Sequence, residues 1–136
     1  MIRGSCLCGG VKYELSRPPT SMASCHCSMC RKAHGAAFGT YAQVDRAVLR
    51  FTSGAELVRR YRSSPPIHRS FCSTCGSNLS FEYEGMPDAL WLCAGTLDDD
   101  PGIRPSAHVF VGSKAPWYEI TDALPQHKTY RGAPGE

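Results

Sequence analysis

The chain has 136 residues, and its 15 lysines and arginines against 12 acids leave a formal net charge of +3 at pH 7. This length suits one domain, and so mild a charge argues against strong nucleic-acid binding, which needs clustered Lys and Arg. No apolar run approaches the roughly 20 residues that span a bilayer, and the N-terminus lacks the apolar segment of a secretory signal. We therefore expect a soluble, cytoplasmic protein with one domain at 1–127 and a frayed tail at 128–136.

Short strands dominate the pattern, because alternation and β-branched or aromatic residues recur between turns rich in glycine and proline. In chain order the predicted strands fall within 11–15, 36–44, 47–52, 57–63, 67–71, 78–83, 89–95 and 107–111. Nowhere do apolar residues keep helical spacing over a dozen positions. Only Ser28–His34, inside and just after a group of cysteines, predicts one or two helical turns. The fold class is mainly β.

Eight cysteines in so short a chain require an explanation. Seven of them are clustered, as Cys6 and Cys8, then Cys25, Cys27 and Cys30, then Cys72 and Cys75. A disulfide framework is the competing reading, since the number is even. The absence of an export signal and the closeness of the thiols within each group favour metal binding instead.

The spacing alone leaves two ways to divide these thiols between metal ions. The two outer pairs, each followed by glycine, can complete one closed site of four thiolates and leave the middle trio with one open position, which is typical of a catalytic zinc. Alternatively, Cys27 and Cys30 can join Cys72 and Cys75 as in a zinc ribbon. The residues by themselves favour the first division only slightly.

Several blocks together resemble the glutathione-dependent formaldehyde-activating enzyme (GFA) family, also called the CENP-V/GFA domain. They are GSCLCGGVKYEL, CHCSMCRKAHGAAF, FCSTCGSNL, AGTLDDDPGIRPSAHVFVGSKAPWYEI and DALPQH, and they occur in the family's order over about Gly4–His127. The series C-x-C, C-x-C-x-x-C and C-x-x-C is the most specific part of this signal.

The resemblance implies a β-tent, Mss4-like fold with two Zn²⁺ per chain. It implies that Cys6, Cys8, Cys72 and Cys75 hold a structural zinc, and that Cys25, Cys27 and Cys30 hold a second, catalytic-type zinc. The activity implied is that of a carbon–sulfur lyase acting on S-(hydroxymethyl)glutathione, the adduct of formaldehyde with glutathione, or on the adduct of another thiol. Glutathione would then be a substrate or cosubstrate.

This chemistry suits a site of three thiolates. A free thiol has a pKa of about 8.5, and a bound Zn²⁺ removes its proton. Three thiolates already give the ion a net −1 environment, so we expect the metal to position a thiol more than to polarise a carbonyl. The alternatives are a non-enzymatic zinc module that binds protein or nucleic acid, and a zinc or thiol-redox sensor.

Three residues after the trio are candidate substrate contacts. Arg31 and Lys32 could attract the carboxylates of a glutathione-like ligand, or they could lie on a solvated turn. His34 could line the pocket as a proton shuttle, or it could lie at the surface.

Other polar and aromatic residues have a favoured structural reading. We expect Cys93 and Trp117 to pack in the core, His26 to face solvent or make a hydrogen bond, and His108 to make a structural hydrogen bond. The acidic run 98–100 is expected to form a turn. Four arginines are expected on an exposed sheet face: Arg59, Arg60, Arg62 and Arg69.

Overall fold

Two β-sheets and one short α-helix make up the computed structural model, which describes residues 1–133. The strands are β1 (Ile2–Ser5), β2 (Lys12–Leu15), β3 (Ser21–Cys25), β4 (Gly39–Asp45), β5 (Leu49–Ser53), β6 (Val58–Ser64), β7 (Ile67–Cys72), β8 (Asn78–Tyr83), β9 (Ala89–Cys93) and β10 (His108–Val109). The helix α1 is Ser28–His34. Short 3₁₀ turns occupy Arg46–Val48, Ala55–Leu57, Ala94–Thr96 and Val111–Ser113.

The smaller sheet has three strands in the order β1-β2-β5, and the larger has seven in the order β10-β3-β4-β9-β8-β7-β6. Every pairing is antiparallel except that of β10 with β3, which is parallel. This confirms the prediction of a mainly β fold, and α1 has the bounds expected for the helical turns.

Each of the eight predicted strand segments contains or overlaps one observed strand, whereas β1 and β3 were missed. Their sequences, IRGS and SMASC, are short and contain mostly small or polar residues. Intrinsic strand propensity is low in such stretches. The pairing of β1 with β2 and of β3 with β4 is what makes them strands.

The main hydrophobic core joins the two sheets. Its buried members are Tyr13, Leu15, Met22, Ala42, Val44, Val48, Leu90 and Leu92. Since side chains alternate along a strand, the residues between these positions in β3, β4 and β9 lie on the opposite face of the larger sheet. That second face carries the residues of the candidate site.

The C-terminal segment crosses the end of the larger sheet. Phe110 N–H donates to the Thr129 carbonyl at 2.8 Å, and Gly112 N–H donates to the Lys128 carbonyl at 3.1 Å. The first part of the predicted tail, 128–133, therefore includes residues that are hydrogen-bonded to the body of the domain. Residues 134–136 of that tail lie outside the described residues. No helix within residues 1–133 is both long enough and apolar enough to cross a membrane.

A substitution at Gly4 tests the close packing of β1 against β2, just before Cys6. Gly4 lies opposite Tyr13 in the β1–β2 ladder, and a Cβ at Gly4 would lie 2.2 Å from Tyr13 Cζ. Because Tyr13 is 2% exposed, its ring has little room to move. We expect Gly4→Ala to lower the free energy of unfolding by about 1–3 kcal/mol in chemical denaturation.

The control for this substitution is Gly95→Ala, since nothing lies within 4 Å of a Cβ placed there. That variant should stay within about 0.5 kcal/mol of the wild type. Equal destabilisation by the two substitutions would contradict the close approach of Gly4 to Tyr13.

Candidate metal centres

Four cysteines from distant parts of the chain form the first cluster. Cys6 and Cys8 follow β1, Cys72 ends β7, and Cys75 lies in the turn after it; their sulfurs all lie within 4.8 Å of one another. All eight cysteines of the chain are free thiols. The disulfide alternative is therefore not the arrangement that the chain adopts.

Backbone donors and two glycines shape this four-cysteine cluster. Val11 N–H lies 3.3 Å from Cys6 Sγ, and Gly10 N–H lies 3.4 Å from Cys8 Sγ. Gly9 and Gly76, each directly after the second cysteine of a pair, have φ of 77° and 78°. These left-handed conformations favour glycine, the residue that follows each pair in the sequence.

The four sulfurs are spaced as a tetrahedral zinc site requires. Zn–S bonds of about 2.3 Å give sulfur–sulfur edges of about 3.8 Å. The Sγ atoms of Cys6 and Cys8 are 3.5 Å apart, and those of Cys8 and Cys72 are 3.9 Å apart. The residues present therefore fit a closed Zn²⁺ site.

The trio forms where β3 meets α1. Cys25 ends β3, Cys27 is the N-cap of α1, and Cys30 lies in its first turn. Cys27 Sγ accepts a hydrogen bond from Cys30 N–H at 3.2 Å. The three sulfurs lie within 4.8 Å of one another, and no fourth His, Cys, Asp or Glu of residues 1–133 joins them. The cysteines thus assemble in the same two sets that the first division predicted, and not as a zinc ribbon.

The trio favours a bound cation on electrostatic grounds. Hydrogen bonding with Cys27 and Cys30 raises the pKa of Cys25, whereas hydrogen bonds from Cys25 and Cys27 lower the pKa of Cys30. One thiolate is thus stabilised at the expense of its neighbours. A divalent cation allows all three to lose their protons, because it offsets the mutual repulsion of the thiolates.

Arg69 supplies a positive charge beside the trio, and the prediction that it lies on an exposed face was wrong. Its Nη2 donates to Cys30 Sγ at 3.6 Å and its Nη1 donates to Tyr41 Oη at 3.3 Å. The guanidinium also lies over the Phe81 ring, 5.7 Å from the centroid. Alternation along β7 places Arg69 on the face of the sheet that carries the cysteine trio, and the sequence does not show which face that is. Arg60 and Arg62, on the neighbouring strand, are exposed as expected.

A short polar relay continues from Arg69. His34 Nε2 lies 2.9 Å from Tyr41 Oη and 3.9 Å from Cys93 Sγ. Burial raises the pKa of Tyr41 and lowers that of His34, so both side chains favour their neutral forms. Burial likewise raises the pKa of Cys93 to about 12. Cys93 is buried, as predicted, and with His34 it lines a cavity of about 380 Å³.

His26 connects the trio to the C-terminal segment. It is 0% exposed, and its Nε2 lies 2.8 Å from His108 Nδ1, while His108 Nε2 lies 2.9 Å from the Asp122 carboxylate. Since the carboxylate accepts from His108 Nε2–H, a neutral His108 accepts at Nδ1 from His26 Nε2–H. Burial lowers the pKa of His26 to about 4. The expected hydrogen bonds of both histidines are therefore confirmed, and the solvent-facing alternative for His26 is wrong.

Cys25 and Tyr41 also line a groove of about 800 Å³ on the face of the larger sheet opposite the core. Phe81 and Trp91 stack on its floor with ring centroids 5.0 Å apart and an interplanar angle of 5°. Tyr41 meets Phe81 edge-on, with a centroid separation of 4.7 Å. The trio thus lies at the border of an aromatic groove.

The remaining candidates lie elsewhere. Arg31 and Lys32 belong to α1, where Lys32 is exposed and Arg31 half-buried, and neither lines this groove. Trp117 is 70% exposed, so its expected place in the core was wrong. The run 98–100 forms the expected acidic turn, in which Asp99 binds Arg3 and Asp100 binds Arg104.

The two clusters should respond differently to loss of a ligand. Cys75 and Cys27 are both half-buried, which makes Cys75→Ser and Cys27→Ser a matched pair. Structural zinc is worth about 10–16 kcal/mol in zinc-finger peptides, so Cys75→Ser should abolish cooperative thermal unfolding. Cys27→Ser should lose one of two zinc ions, counted by native mass spectrometry, and still unfold cooperatively.

The control for this pair is Cys93→Ser, which should retain two ions because Cys93 belongs to neither cluster. Equal loss of stability in Cys75→Ser and Cys27→Ser would show that the clusters do not divide into a structural and a second site.

The charge of Arg69 should matter for metal retention at the trio alone. Three thiolates and Zn²⁺ sum to −1, and Arg69 brings this total to zero. We expect Arg69→Gln to release one zinc ion at about tenfold lower chelator concentration, in line with other groups that contact metal ligands. Arg62→Gln, on the neighbouring strand, should leave both ions as firmly bound as in the wild type; parallel loss in the two variants would contradict this role.

Comparison with known proteins agrees with this geometry. The family model described as "Glutathione-dependent formaldehyde-activating enzyme" matches residues 1–113. A protein of Halomonas elongata, which bears that enzyme name as a provisional assignment, is 31% identical over 148 aligned positions that cover 100% of this chain and 90% of its own length. The crystal structure of a Rhodobacter sphaeroides protein is similar with a TM-score of 0.59 at 26% identity, covering 76% of this chain and 91% of that one. The chain belongs to the glutathione-dependent formaldehyde-activating enzyme family.

Proposed function

We propose that this chain catalyses the reversible addition of a thiol to a small aldehyde, and so acts as a carbon–sulfur lyase on an S-(hydroxymethyl) adduct such as that of glutathione. The observation that carries this proposal is the position of the trio, whose Cys25 opens onto the groove while the other cluster is closed by four cysteines. A thiol that enters the groove can reach the one metal site that lacks a fourth protein ligand.

The reaction forms one bond and moves one proton. The thiolate sulfur attacks the aldehyde carbon, a C–S bond forms, and the π pair of the carbonyl moves to oxygen, which takes up a proton. The reverse reaction removes that proton and expels the thiolate. A Zn²⁺ bound by Cys25, Cys27 and Cys30 would keep the substrate thiol ionised at neutral pH, where a free thiol with a pKa of about 8.5 is mostly protonated.

Tyr41 is suited to stabilise the oxygen on which charge develops. Tyr41 lines the groove, and its hydroxyl lies between Arg69 and His34 and also hydrogen-bonds Cys30. When His34 carries its proton on Nε2, it and Arg69 both donate to the phenol oxygen, and the phenol proton is left for Cys30 Sγ or for the oxygen of a ligand bound at the trio. A neutral phenol held in this way can donate a hydrogen bond to the oxygen on which charge develops.

Two zinc ions have different parts in this proposal. The ion at Cys6, Cys8, Cys72 and Cys75 would tie β1 to β7, and the ion at the trio would serve the reaction. Arg31 and Lys32 remain proposed contacts for a substrate carboxylate. Because neither lines the groove, they would reach only those parts of a substrate that extend over α1.

The surface charges give no support to the nucleic-acid alternative. Two of the three arginines of β6 face acidic residues on the same side of the sheet, where Arg60 pairs with Glu82 and Arg62 with Glu84. Glu82 also pairs with Arg46. Positive charges neutralised in this way are poor partners for a phosphate backbone.

A kinetic comparison of two buried tyrosines tests the proposal. We expect Tyr41→Phe to reduce adduct formation above the spontaneous rate by about 10- to 100-fold, since one oxygen-stabilising donor is lost. Formation and cleavage of the adduct can be followed by NMR with formaldehyde and a thiol, and the zinc count should not change.

Tyr13→Phe is the matched control, because Tyr13 is also buried and bonds Thr96 on the other side of the larger sheet. It should keep the wild-type rate. No acceleration over the spontaneous reaction by the zinc-loaded wild type, with any thiol, would refute the proposed function.

A further inference from the structure

The floor of the groove is built from aromatic side chains on neighbouring strands. The register places Gln43 opposite Trp91, and Trp91 opposite Phe81, on one row across β4, β9 and β8. Beside this row the groove is lined chiefly by apolar side chains, including those of Ile67 and Met86. The floor is therefore aromatic, and a ring of a bound ligand can pack against it.

The opposite wall comes from the C-terminal part of the chain. Phe110 lines the groove in the left-handed backbone conformation, with φ of 55°, which is uncommon for a residue other than glycine. Hydrogen bonds hold it there, since its N–H donates to Thr129 and its carbonyl accepts from Ser113 N–H. Tyr130, which is 57% exposed, lies at the rim. Strained conformations of this kind cluster at ligand sites.

Charge is nearly absent from the groove. Among residues 1–133 that line it, Arg131 is the single charged side chain, and no carboxylate is present. Arg131 Nη2 donates to Ser106 Oγ at 2.9 Å. Glutathione, in contrast, carries two carboxylates and one ammonium group and has no apolar side chain. Its ammonium group would find no acidic partner here, and the aromatic floor would gain nothing from its backbone.

We propose that this groove selects a thiol with an aromatic body and at most one carboxylate, its sulfur at Cys25 and its carboxylate at Arg131. This rests on the proposed function, since it names the substrate class of the same site. A volume of about 800 Å³ lies within the range of ligand pockets and accommodates a benzyl-sized body with its polar ends.

Binding is measured on the zinc-loaded full chain through Trp91, which lies in the groove. Only two tryptophans occur in the chain, and the exposed Trp117 can be replaced, so the Trp117→Phe background reports Trp91 alone. The probes are phenylmethanethiol, 4-(mercaptomethyl)benzoate and glutathione. We expect both aromatic thiols to bind at least about tenfold more tightly than glutathione, as expected from burial of one ring.

Two substitutions at the exposed rim test the wall and the charge without touching the proposed zinc ligands. Tyr130→Ser should weaken binding of both aromatic thiols by about three- to tenfold and leave glutathione binding unaffected. The control is Tyr61→Ser, at an exposed tyrosine outside the groove, which should not change the binding of any of the three thiols. Arg131→Gln should remove an approximately three- to fivefold preference for the carboxylated thiol. Its control is Arg59→Gln, since Arg59 is exposed and also bonds only uncharged oxygens.

The outcomes separate the substrate class from the reaction. If glutathione binds more tightly than the aromatic thiols and its adduct forms above the spontaneous rate, the reaction stands and the substrate class is overturned. If no thiol is accelerated and none changes zinc retention at the trio, both are overturned. Unresponsive Trp91 emission together with a dimeric mass would overturn the substrate class as well, because a second copy would then cover the groove.

Discussion

The structure depends on bringing seven thiols into two groups, in each of which the sulfurs lie too close for all of them to ionise together without a cation. In the four-cysteine cluster the sulfurs come from the end of β1 and the end of β7, which belong to different sheets. A domain of this size has a limited core, and a joint between its sheets therefore has a large influence on stability. The sulfur spacing, with edges of 3.5 and 3.9 Å, is what a tetrahedral ion needs.

The larger sheet serves the core and the candidate site at once because side chains alternate along each strand. Met22, Ala42 and Leu92 face the smaller sheet and are buried, while Cys25, Tyr41 and Trp91 on the same strands line the groove. A shift of one residue in register would exchange these two sets. Correct pairing of the central strands is therefore a condition for the site as well as for stability.

Charge balance distinguishes the trio from the four-cysteine cluster. Arg69 lies against Cys30 and binds Tyr41, so the positive group that offsets the charge of the trio also orients the hydroxyl of Tyr41, a residue that lines the groove. The remainder of the groove is chiefly apolar and contains one cation, Arg131. We therefore propose different residues for the reaction chemistry and for substrate selection, and membership of the family does not require that every member have the same thiol partner.

The sequence by itself determined the mainly β class through local alternation, and its motifs identified the family. The division of the cysteines followed from the family resemblance, because their spacing alone left two arrangements open. The sequence did not reveal β1 and β3, whose small and polar residues become strands only through pairing. The position of Arg69 beside Cys30, the burial of His26 against His108 and the exposure of Trp117 were decided by tertiary structure. Each depends on which face of a strand or loop meets a segment many residues away, and a local pattern carries no information about that partner.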